Sequence, residues 1–208
     1  MTVRVKICGI TRLEDALLAE RLGAFAVGFV FHPPSRRFIE PAEAGRIARS
    51  LGSGILKVGV FVDEDPAAVR STVETAGLTA VQLHGSEGPS YVRDLGGVMV
   101  IKTFRVGPDF DPDAIRAWPE GLFLLDTAVP GSHGGTGRTF DWRTARACGG
   151  YGSIIVAGGL TPENVAGAVQ TAEPWGVDVS GGVESSPGVK DHGRMRAFFS
   201  EVRRVSGD

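Results

Sequence analysis

An α/β chain closing into a single-domain (β/α)8 TIM barrel is expected from three observations. Eight short apolar runs alternate with eight amphipathic stretches over 208 residues, the pattern of βαβ units and a parallel sheet. Most of the runs are continuously apolar rather than alternating, which means burial on both faces. The length, roughly 26 residues per unit, suits a compact eight-unit barrel spanning residues 1–208. An open doubly wound sheet is the rival architecture. It usually has fewer strands, and its GxGxxG fingerprint is absent.

Residues 3–8 form the first strand. Thr11 then stands as an N-cap, with Glu14 three residues on completing a capping box. Leu13, Ala16, Leu17 and Glu20 fall at helical spacing over 13–22, and Gly23 ends that helix. The second unit is a strand over 26–31 and a helix over 41–51 with Pro41 in its first turn. The third is a strand over 56–62 and a helix over 66–76. The fourth strand, 80–84, precedes a short helix over 90–95, and the fifth, 98–104, precedes one over 112–118. Strand six is 122–126, followed by a glycine-rich loop and a helix over 140–147. Strand seven, 153–157, leads to a helix over 162–171. Strand eight, 177–180, leads to a closing helix over 191–204.

Composition narrows the function. The chain is 42% hydrophobic and 22% charged, an ordinary globular balance, and no linker marks a second domain. A net charge of −2 gives no basic footprint for nucleic acid. The longest strongly apolar run, 25–31, is far short of the ~20 residues that span a bilayer. Arg4 and Lys6 interrupt the N-terminus, which is therefore no signal peptide. Cys8 and Cys148 belong to no CxxC or Cys/His cluster, so neither a disulfide framework nor a zinc site is expected. The expectation is a cytoplasmic protein without metal or cofactor, with no nucleic-acid or membrane partner, a monomer or a homodimer.

In a barrel of this type the active groups lie at the carboxyl ends of the strands. Those ends carry Cys8, the Arg36-Arg37 doublet, Gln82 and His84, Lys102, Asp126, Gly158-Gly159, and Asp178 with Ser180, Gly181 and Gly182. The two glycine pairs follow the last two strands, where such barrels commonly bind phosphate on backbone amides. Tight-turn geometry is the plainer reading of either pair alone. Cys8 is either a small buried hydrophobe or a base whose thiol is shifted down by nearby amides or cations. Asp126 ends an apolar strand; it either caps the following turn or donates a proton from a costly buried position. Gln82 and His84 alternate and so point the same way. An arginine of the 36–37 doublet suits a forked contact with a carboxylate. Gly134-Gly135-Thr136-Gly137 reads as a lid or ligand loop, or as plain linker. Cys148 reads as structural.

Several runs together resemble one family. Lys6-Ile7-Cys8-Gly9-Ile10-Thr11, Val58-Gly59-Val60-Phe61-Val62 and Val81-Gln82-Leu83-His84-Gly85 are similar to the signatures of phosphoribosylanthranilate isomerases. So are Leu124-Leu125-Asp126-Thr127, Ala157-Gly158-Gly159-Leu160 and Asp178-Val179-Ser180-Gly181-Gly182-Val183-Glu184. The resemblance runs in order along nearly the whole chain. It implies an Amadori rearrangement of N-(5-phosphoribosyl)anthranilate in tryptophan biosynthesis. It puts the general base on Cys8, the general acid on Asp126 and the anthranilate contact on Arg37. It also puts the phosphate cup on Gly158, Gly159, Gly181 and Gly182; Ser180 and Gly135 are taken as further phosphate contacts, and Gln82, His84 and Asp178 as substrate contacts. One departure is Gly181, where the family often has a second serine. Among rivals, a histidine-pathway isomerase is expected to carry a carboxylate in place of Cys8. An indole-forming synthase is expected to carry a strand lysine–glutamate set, of which Lys102 is a thin version. A barrel that only binds a phosphorylated metabolite is expected to lack Cys8 or Asp126.

Overall fold

The computed structural model describes residues 2–119, 121–128 and 139–207. Eight parallel strands pair in sequence order: β1 (Arg4–Ile7), β2 (Ala26–Val30), β3 (Leu56–Phe61), β4 (Ala80–Leu83), β5 (Met99–Val106), β6 (Leu122–Thr127), β7 (Ser153–Val156) and β8 (Gly176–Val179). β8 pairs back onto β1, so the barrel is closed and leaves no sheet edge. β2, β4 and β8 are buried at every residue, as continuous apolar runs require when both faces are covered.

The helices are α1 (Leu13–Arg21), α2 (Pro41–Arg49), α3 (Pro66–Ala76), α4 (Trp142–Ala147), α5 (Val165–Ala172) and α6 (His192–Ser206). α3 shows the local logic most fully. Asp65 accepts from the N–H groups of Ala67 and Ala68, Pro66 starts the first turn, and Gly77 closes the helix in the left-handed region at φ 61°. None of the described helices is long and apolar enough to cross a membrane.

Four local expectations are corrected. α1 has Arg12 at its N-cap and no side-chain cap. Thr11 stands one residue before the cap position, and its hydroxyl donates to Gly188 O at 2.5 Å. The segments behind β4 and β5 are 3₁₀ turns, Pro89–Leu95 and Pro112–Ala117. The first is stopped by Gly96 and Gly97, both at positive φ, and the second by Pro119, and both are short enough to keep the tighter 3₁₀ winding. α5 starts at Val165 rather than 162, because Asn164 holds the preceding turn, accepting from Thr161 N–H at 2.8 Å and donating to Gly159 O at 2.9 Å. A hairpin that the sequence did not announce, β9 (Glu184–Ser186) with β10 (Val189–Lys190), follows β8.

The two-residue strand period sorts side chains into two cores. Inside the barrel, Ala26, Val58, Ala80, Ile101, Leu124, Ile155 and Ala157 pack together, mixing small and branched side chains. Outside it, Phe29, Phe61, Phe123 and Phe198 are among the side chains buried between strands and helices. Cys148 lies wholly buried in that outer core, in keeping with a structural role.

Candidate active site

β1 sends two functional side chains into the barrel. Lys6 is completely buried, and its register partner on β8 is Asp178. Lys6 Nζ donates to Asp178 Oδ1 at 2.8 Å. Cys8 stands two residues further toward the mouth, and its N–H donates to Val179 O at 2.9 Å. Gly28 of β2 is what makes room. A Cβ built there would lie 2.9 Å from Cys8 Sγ and 3.2 Å from Lys6 Nζ, so only glycine lets both side chains occupy that space.

Burial pushes the Cys8 thiol above its ordinary range; the Lys6 and Lys190 ammonium groups pull it back down, while Asp178 adds to the rise. Desolvation thus outweighs the two cations, the opposite direction from a thiol shifted down. Burial pulls Lys6 down, but Asp178 and Cys8 outweigh it and hold the ammonium above its ordinary value.

Across the ring, three strands away in the order β6–β7–β8–β1, Asp126 ends the inner face of β6. Asp126 Oδ1 accepts from the Thr127 N–H at 2.8 Å, the turn contact of the plainer reading. Its Oδ2 lies 3.3 Å from His84 Nε2, an approach not aligned as a hydrogen bond. Gln82 and His84 do point the same way: Gln82 Nε2 lies 3.0 Å from His84 Nδ1 and donates to Thr103 Oγ1 at 3.2 Å. Gln82, His84, Thr103 and Asp126 thus form one buried polar row along β4, β5 and β6.

The arginine doublet separates. Arg36 is exposed, whereas Arg37 is half-buried and folds inward, so that a Cβ on Gly9 would lie 2.5 Å from its Cδ. The Arg37 fork is filled by Glu184, with Nε to Oε1 at 2.9 Å and Nη2 to Oε2 at 2.7 Å. Lys190 Nζ donates to Glu184 Oε1 at 2.8 Å and to Cys8 O at 2.6 Å, and also reaches Ser180 O. The hairpin therefore staples the β8–β1 seam at the mouth. Burial would raise Glu184, but Arg37 and Lys190 outweigh it and hold the carboxylate below its usual range.

The glycine turns meet beside these groups. Gly158 and Gly159 both adopt positive φ, 79° and 64°, and among the described residues their N–H groups donate to no backbone carbonyl. A Cβ on Gly158 would lie 2.7 Å from Asp126 Oδ1. Gly182 lies against Leu160 O, joining the two turns. Ser180 Oγ is buried with no partner among the described residues, and a Cβ on Gly9 would lie 2.9 Å from it. Gly135 and the rest of the 134–137 loop lie outside the described residues.

Lys102 is not at the mouth. Its neighbours Ile101 and Thr103 face inward, so Lys102 faces the helix layer. There it pairs with Glu87 Oε2 and Gly85 O, both at 2.8 Å. A lysine–glutamate pair thus exists in this chain, but on the wrong side of the wall for a strand lysine to serve catalysis. The sequence reading gave no role to Lys6, Glu184 and Lys190 and did not single out Thr103. Lys6 had a signal, a lysine in phase with Cys8 within an apolar strand; Lys190 had one in the run Pro187-Gly188-Val189-Lys190-Asp191, which is also similar to the family's.

Fold and mouth chemistry together define a (β/α)8 barrel enzyme. Residues 5–201 match the model of the N-(5'phosphoribosyl)anthranilate (PRA) isomerase family. A Geobacter sulfurreducens protein named N-(5'-phosphoribosyl)anthranilate isomerase is 50% identical over 205 residues, covering 99% of each chain. The crystal structure of the Thermus thermophilus phosphoribosyl anthranilate isomerase superposes with a TM-score of 0.89 at 41% identity, covering 98% of this chain and 100% of that one. Another phosphoribosyl anthranilate isomerase structure, a complex with reduced 1-(o-carboxyphenylamino)-1-deoxyribulose 5-phosphate, matches with a TM-score of 0.85 at 40% identity, covering 99% and 100%. The chain belongs to the N-(5'-phosphoribosyl)anthranilate isomerase family, and it is an isomerase.

Proposed function

We propose that this chain converts N-(5-phosphoribosyl)anthranilate to 1-(2-carboxyphenylamino)-1-deoxyribulose 5-phosphate, with Asp126 as general acid and Cys8 as general base. The observation that carries the reading is the placement of one carboxyl and one thiol on the inner wall, three strands apart, beside paired glycine turns. Asp126 gives its proton to the ring oxygen. The C1′–O bond breaks, and the anthranilate nitrogen lone pair forms the iminium. The Cys8 thiolate takes the C2′ proton, and the released electron pair moves into C1′–C2′ to give the enolamine. The enolamine loses its hydroxyl proton and gains one at C1′, leaving the ketone. Each positioned proton transfer contributes about 10²–10⁴ in rate.

In this reading the phosphate sits on the amides of Gly158, Gly159, Gly181 and Gly182 with the Ser180 hydroxyl. Arg37, its Nε and Nη2 held by Glu184, meets the anthranilate carboxylate through its remaining Nη1, and Gln82, His84 and Asp178 line the remaining surface. The chemistry is proton transfer alone, so it calls on no cofactor or metal. The proposed setting is the cytoplasm, acting on a soluble phosphorylated substrate as a monomer or homodimer. Generated N-(5-phosphoribosyl)anthranilate offered to the purified protein is expected to lose its fluorescence with saturable kinetics. Unchanged fluorescence over folded protein contradicts the proposal.

A further inference from the structure

We propose that Lys6 is the positioning residue for the base: its ammonium, caged against Asp178 beneath the Cys8 sulfur, stabilises the thiolate that forms before that sulfur takes up the C2′ proton. This rests on the reading of Cys8 as base. The argument starts from cost. A lysine sealed inside a barrel gives up its hydration, a cost that a single surface-like ion pair does not repay. Yet Lys6 is wholly buried, and β2 has glycine at the one position where any Cβ would crowd both Lys6 Nζ and Cys8 Sγ. The paired Asp178 takes one direction of the ammonium at 2.8 Å. The side facing Gly28 is left to the sulfur.

Of the two cations that pull the thiol down, Lys6 pulls harder, and the other charges around Cys8 are committed elsewhere. Lys190, on β10, spends its ammonium on Cys8 O, Ser180 O and Glu184 Oε1. Arg37, after β2, spends its fork on Glu184. Asp178, on β8, is an anion and opposes the thiolate. Lys6 is thus the cation poised to form the ion pair with the thiolate when the proton leaves sulfur, and to release it when the C2′ proton arrives.

The test reads the thiol directly: the rate of Cys8 alkylation by iodoacetamide against pH, with the modified peptide identified by mass so that Cys148 does not contribute. In Lys6→Met the alkylation midpoint is expected to move up by about one pH unit or more. The rising limb of kcat/KM should move with it, leaving about tenfold less thiolate at neutral pH. Lys6→Met alone strands Asp178, so the second comparison removes both charges. Asp178→Asn is expected to lower the midpoint, and Lys6→Met/Asp178→Asn to raise it again relative to Asp178→Asn. An unchanged midpoint on removing Lys6 in either background overturns the proposal, as does a fall. Cys8→Ala with near-normal turnover would instead remove the base itself, a different failure.

Discussion

Replacing Lys102 by methionine separates a structural charge from a catalytic one. Lys102 and Glu87 are among the most deeply buried ions of the outer layer, with side chains 6% and 2% exposed. Methionine keeps the length and loses the ammonium, leaving Glu87 without its cation. Breaking a buried pair costs about 3–5 kcal/mol. Glu87 retains N–H donors from Asp63 at 2.8 Å and Gly85 at 3.0 Å, which places the cost near the lower figure, about 3 kcal/mol. For a chain of this size each kcal/mol moves the melting midpoint roughly 2–4 °C, so a fall of roughly 6–12 °C is expected. Calorimetry gives the midpoint, and the fluorescence assay on the same samples should give kcat and KM close to those of the parent. About a tenfold loss of kcat at unaltered stability would refute the reasoning, because it would make Lys102 part of the chemistry.

Other perturbations have equally definite outcomes. Gly28→Ala sets a methyl group 2.9 Å from Cys8 Sγ, so kcat should fall by about 10-fold or more while KM changes little, since a misplaced base loses transition-state contact first. Arg36→Ala should leave KM near the parent value and Arg37→Ala should raise it, measured by initial rates; the reverse order would exchange their roles. Glu184 is depressed in the folded chain, so it contributes stability above the ordinary glutamate range, lost as pH falls through its lower folded value. Glu184→Gln should therefore flatten the acid limb of melting midpoint against pH while lowering the midpoint at neutral pH; an acid limb of parental steepness speaks against the Arg37–Glu184–Lys190 staple.

The barrel was legible because its strands are written as buried apolar runs and its helices as amphipathic stretches punctuated by Pro41 and Gly23. What failed was governed by partners far away in the chain. Thr11 has the composition of a cap, yet Gly188, 177 residues later, takes its hydroxyl. Glu184 and Lys190 look like surface charges until the hairpin folds them over the β8–β1 seam. Lys102 looked like a mouth residue because the end of β5 was read without its phase; Ile101 and Thr103 fix that phase inward. That Cys8, Asp126, Gln82 and His84 gather at the barrel mouth was legible because strand ends and two-residue alternation are local properties. The thiol's rise was not, because it depends on how completely the closed barrel excludes water from Cys8.

Paired turnover measurements on Cys8→Ala and Asp126→Asn, each checked for native circular dichroism, test the acid–base assignment most directly. Each substitution is expected to lower kcat by about 10²-fold or more, the scale of one lost proton transfer. Near-parental kcat in either folded variant would contradict it.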